Sequence, residues 1–110
     1  MVRMTINLAP GAAKGIILSA VQNSGMSVEL IASHQSTSPD GKTAILLVYD
    51  KYYMRNSSRA SLTVLIENLE GSTAVVAIGS GGSQGALFNF DWGTAKNFEK
   101  AVIDAMQPYI

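Results

Sequence analysis

Two short glycine turns constrain this chain more than any other feature. Ser38-Pro39-Asp40-Gly41-Lys42 and Asn68-Leu69-Glu70-Gly71-Ser72 each stand between runs of apolar and β-branched residues. In the first, Pro and Asp suit the corner of a type I turn; in both, Gly suits the left-handed third residue of a three-residue hairpin loop. The pattern predicts two hairpins, with flanking residues 38 and 42 in the first and 68 and 72 in the second. Paired positions then sum to 38 + 42 = 80 and to 68 + 72 = 140. The first register sets Glu29 opposite Lys51 and Ala32 opposite Val48. The second sets Leu62 opposite Ile78, Val64 opposite Val76 and Ile66 opposite Ala74. Arg55-Asn56-Ser57-Ser58-Arg59 is polar and reads as a longer loop between strands of residues 43–54 and 60–68.

The flanks of this β-rich middle have different periods. Val2, Met4, Ile6 and Leu8 alternate with Arg3, Thr5 and Asn7, which predicts a half-buried strand ended by Pro10 and Gly11. Ala13, Ile16, Ile17, Ala20 and Val21 recur at helical spacing and predict a helix over 11–24, closed by Gly25 in the left-handed conformation. Phe98, Val102, Ala105 and Met106 form the apolar stripe of a final helix, with Lys96, Glu99, Lys100 and Asp104 outside it. Asp91 or Thr94 can cap that helix and Pro108 stops it.

The expectation is one domain over residues 1–110, of the α+β class: a two-layer sandwich in the order β-α-β-β-β-β-α. Both helices lie on one face of an antiparallel sheet, because each has only one apolar stripe to bury. That element order resembles the TATA-binding-protein-like fold, a likeness that implies architecture and no activity. The segment Gly81-Gly82-Ser83-Gln84-Gly85, followed by Phe88 and a carboxy-terminal helix, resembles an uncharacterised family of small bacterial proteins. The resemblance implies no catalytic residues.

Composition narrows the function classes. The chain is 47% hydrophobic and 15% charged, which offers enough apolar surface to offset the entropy of ordering. Eight Lys and Arg balance eight Asp and Glu, which argues against binding nucleic acid through counterion release. There is no cysteine to staple the fold or hold a metal, and the single His34 cannot make a multi-histidine site. In the predicted register His34 faces Leu46, about 13 Å along the strand from Asp50, too far for a catalytic dyad. No apolar run approaches a membrane span, so the reading is a soluble cytoplasmic protein without cofactor.

Two features carry functional expectations. Four glycines between Gly79 and Gly85 offer backbone N–H groups to an anion, although the lysine of a phosphate-binding loop is missing. A small-molecule or anion site there, enzymatic or not, would use Ser80, Gly81, Gly82, Ser83, Gln84, Phe88, Phe90 and Trp92. The ordinary alternative is a glycine bulge or strand crossover.

The second feature is the far face of the sheet. With the even-numbered residues Met26, Val28, Leu30, Leu46, Val48, Leu62, Val64, Ile66, Ala74, Val76 and Ile78 under the helices, Ile31, Ile45, Leu47, Tyr49, Leu65 and Val75 lie on the other side. A sheet face that met water would carry polar residues at its centre. The leading expectation is therefore a non-enzymatic interaction domain that homodimerises through those six residues.

Overall fold

The computed structural model describes residues 1–25, 27–53, 58–82 and 92–110. Five strands and two longer helices follow the expected order: β1 (Val2–Ile6), α1 (Pro10–Gln22), β2 (Val28–Thr37), β3 (Thr43–Tyr53), β4 (Ser58–Glu67), β5 (Thr73–Gly82) and α2 (Trp92–Met106). A short 3-10 turn, Gln107–Tyr109, follows at Pro108. The strands form one antiparallel sheet in the order β1-β5-β4-β3-β2, with both helices on one face.

Pro10 begins α1 rather than merely ending β1, since its missing N–H falls where a helix has no acceptor to offer. Ala13, Ile17 and Val21 are its buried stripe. The helix closes at Asn23, whose N–H reaches the Ser19 carbonyl at 3.1 Å, and Ser24 Oγ donates to the Val21 carbonyl at 2.7 Å. The left-handed residue beyond it is Ser27, with φ 65°, and not Gly25.

The first hairpin forms as read from the turn. Ser38 N–H donates to the Lys42 carbonyl at 2.7 Å, and Gly41 has φ +88°. The Ser38 hydroxyl donates to the Asp40 carboxylate and holds that carboxyl below its ordinary range. Pairs from Thr37↔Thr43 to Ala32↔Val48 keep the sum of 80. A bulge at Ile31 then lowers it to 79, so Glu29 lies opposite Asp50 and the expected Glu29–Lys51 pair is replaced by Val28↔Lys51.

The second hairpin is displaced by one residue. Gly71 takes φ +101° and its N–H reaches the Asn68 carbonyl at 3.0 Å, but the β4–β5 pairs sum to 141, for example Val64↔Ala77 and Ile66↔Val75. Asn68 explains the shift. Its N–H donates to the Thr43 carbonyl at 3.2 Å and its Oδ1 accepts the Thr43 N–H at 2.8 Å, so it continues the β3 side of the strand and leaves four residues for the loop.

The β3–β4 pairs sum to 111 and run out to Tyr53↔Ser58, so this connection is shorter than the polar stretch suggested. Two odd sums in succession place odd residues of β3, even residues of β4 and odd residues of β5 on one face. Ile45, Leu47 and Tyr49 thus join Leu62, Val64, Ile66, Val75 and Ala77 beneath Ile17, Val21, Phe98, Val102 and Met106. The Tyr49 and Phe98 rings sit 6.4 Å apart at 59°, with Lys51 Nζ 5.8 Å from the Phe98 centroid.

Candidate functional site

This packing corrects the assignment of the two faces. Ile45, Leu47, Tyr49 and Val75, expected at a dimer interface, are core residues of the single chain, each no more than 1% exposed. Their side chains contact the helices, so they present nothing to a partner. Of the six residues expected there, Ile31 and Leu65 are exposed. The helix-free face carries residues that the even-numbered reading had put in the core.

Successive rows across that face can be followed through the register. One runs His34, Leu46, Leu65, Val76 and Arg3; the next runs Ala32, Val48, Thr63 and Ile78. Leu46 is 38% exposed, Leu65 36% and Ile78 43%, and no described element covers them. Glu67 and Thr5 flank these rows on one side. Asp50, Ser61 and Ser80 flank them on the other, with an Arg59–Asp50 ion pair at 3.8 Å. An apolar centre inside a polar, charged rim has the anatomy of a contact surface.

The glycine-rich feature resolves differently. Gly79, Ser80, Gly81 and Gly82 pair regularly with Leu62, Ser61, Ala60 and Arg59, with no bulge. Glycine is useful at 79 and 81 because these positions lie on the helix side of the sheet, where Gly81 is buried. The Gly79 N–H donates to Glu99 Oε2 at 2.7 Å, and the amino-terminal ammonium stands 3.4 Å from the same oxygen. At Gly79 itself the N–H is thus taken by a carboxylate, whose charge disfavours an anion at that one group. Ser83, Gln84, Phe88 and Phe90 lie outside the described residues, and Trp92 is the first residue of α2.

Glu99 was missed as an inward residue, although its spacing to Val102 and Met106 places it on the buried side of α2. Burying the carboxylate gives an acceptor to a strand N–H that lies past the last β1–β5 pair, Val2↔Ala77. His34 lies opposite Leu46 as expected, and its Nε2 is 3.0 Å from Ser36 Oγ. Among the described residues no group of His, Asp and Glu could hold a metal, and no helix is long and apolar enough to cross a membrane.

A model of the DUF6054 family, a family of unknown function, matches residues 3–110. The chain belongs to this family. Neither a curated protein nor a solved structure matches it. The matched range takes in the sheet, both helices and the glycine segment, so the DUF6054 domain is the whole α+β unit described above. Within the DUF6054 domain, no described element covers the helix-free sheet face or pairs with the outer edge of β2. Every residue of β2 after Val28 is exposed.

Proposed function

We propose that this domain is a non-enzymatic interaction module that packs its open sheet face against the same face of a second copy. The observation that carries the proposal is the contiguous apolar pair of rows built from Leu46, Leu65, Val76, Val48 and Ile78. A two-fold arrangement buries identical apolar centres against each other and leaves the polar rims in water.

The available area suits such a contact. Five strands spaced about 4.8 Å apart and up to eleven residues long present roughly 700 Å², close to the ~800 Å² per partner of a standard interface. Lysine at the centre of the patch would have to be buried unpaired in the assembly, yet would extend freely into water on the separated chain. Light scattering with the Leu65→Lys chain tests the proposal: its mass should fall to half that of the parent, with a far-ultraviolet circular dichroism spectrum that still shows the folded sheet and helices. An unchanged mass at micromolar concentration overturns the face contact.

A further inference from the structure

Strand β2 is the long outer edge of the sheet, and neither Lys, Arg nor Pro interrupts its ten residues. Proteins commonly protect such an edge with those residues, because its unpaired N–H and C=O groups invite another strand. The other edge, β1, has five residues and carries Arg3. We infer that β2 is an assembly edge that pairs antiparallel with β2 of a second copy, about a two-fold axis between Ile31 and Ala32.

The bulge selects that axis. Glu29, Ala32 and His34 lie opposite Asp50, Val48 and Leu46 on the open face, whereas Val28, Leu30, Ser33 and Gln35 lie opposite Lys51, Tyr49, Leu47 and Ile45 on the helix face. Ile31 is the inserted residue and shares the Val48 position with Ala32. From 28 to 35 the faces therefore run helix, open, helix, open, open, helix, open, helix. The order is the same in reverse. Pairing two copies with positions summing to 63 sets like face against like face over all eight residues.

The backbone groups agree. Ser38 N–H bonds to the Lys42 carbonyl, so residue 38 turns toward β3; by alternation 36, 34 and 32 do likewise, and 33 and 35 turn outward. Across the bulge the Val28 carbonyl faces outward, where Gln22 Nε2 donates to it at 3.3 Å, and Leu30 follows Val28. A sum of 63 matches outward Leu30 with outward Ser33 of the second copy, twice by symmetry, and these pairs can exchange ladder hydrogen bonds. Any other register either sets an open-face residue against a helix-face residue or is confined to five residues or fewer.

Charge agrees as well. Glu29 and His34 are the two ionisable residues of β2. Glu29 faces Asp50 within its own sheet and makes no ion pair among the described residues. In the proposed register each Glu29 lies beside the second copy's imidazole, again twice. The partner this edge fits is therefore a second copy of the chain, and the product is a continuous ten-stranded sheet. This contact is separate from the face contact; together they assemble four chains.

The chain has no cysteine, so disulfide trapping reads the register directly. Positions 29 and 34 would form a non-hydrogen-bonded pair with Cα atoms about 4.5 Å apart, within the range a disulfide spans. Like positions would be about 17 Å apart, five residues at strand rise. Oxidising a mixture of Glu29→Cys and His34→Cys chains should give a covalent dimer of one of each, while either chain alone should give none. The trap is set in both the parent and the Leu65→Lys background, so that loss of the face contact does not affect its outcome. Ser33→Pro, which removes an outward N–H, should halve the mass in each background. Self-linking of either cysteine chain, no linking in the mixture, or an unchanged mass for Ser33→Pro would overturn the edge pairing.

Discussion

The two neighbours Leu46 and Leu47 provide a sharp test of the fold, because they exchange roles between an alternation-based reading and the packed structure. Leu47 is fully buried beneath the helices, between Val64 on β4 and Ser33 on β2. Leu47→Ala removes the transfer energy of the lost carbons and opens a cavity that a sheet fixed on both sides cannot close. The cost should be about 3 kcal/mol. Leu46 retains 38% of its exposure and faces away from the helices, so Leu46→Ala leaves no cavity. Its cost should be about 1 kcal/mol, from partial burial alone. At roughly 4 °C per kcal/mol for a domain of this size, the melting temperatures should fall by ~12 °C and ~4 °C. Urea denaturation followed by far-ultraviolet circular dichroism, at one fixed chain concentration and in the Leu65→Lys background to remove the face contact on which Leu46 would lie, measures both. Equal losses, or a larger loss at Leu46, would refute the assignment of faces.

Two further outcomes follow from buried polar groups. Glu99→Ala leaves the Gly79 N–H without its acceptor and should cost about 2 kcal/mol in denaturant unfolding, with Glu99→Gln recovering part of it through its amide oxygen; an unchanged midpoint for Glu99→Ala would contradict the role of this contact. Tyr49 is buried and its hydroxyl has no partner among the described residues, so Tyr49→Phe should stabilise the fold by roughly 1 kcal/mol. Burial raises the Tyr49 hydroxyl above its ordinary 10.0, so the folded chain keeps a proton that the unfolded chain releases. Stability is full below that pH and is lost as pH rises through the folded-state value. Melting curves should show an alkaline loss in the parent that is smaller in Tyr49→Phe; superimposable alkaline curves would contradict this account.

The element order was legible because each signal is local. Ala13, Ile17 and Val21 show the stripe of α1, Gly41 and Gly71 take left-handed turns, and α2 shows its stripe at Phe98, Val102 and Met106. The candidate surface was only half legible. Its existence follows from an excess of apolar residues on strands, and Ile31 and Leu65 were correctly placed outside the core, but their companions were not. From Ala44 to Tyr49 every residue is apolar, so β3 has no alternation to say which side is inward. The tertiary structure decided that by register: Asn68 bonds to Thr43, the second loop becomes four residues, and the bulge at Ile31 shifts the end of β2. Side chains alternate with a period of two, so a one-residue displacement exchanges core for surface along a whole strand. The sequence by itself determined which segments are strands and helices; which apolar face the helices cover was settled only when long-range packing chose the register.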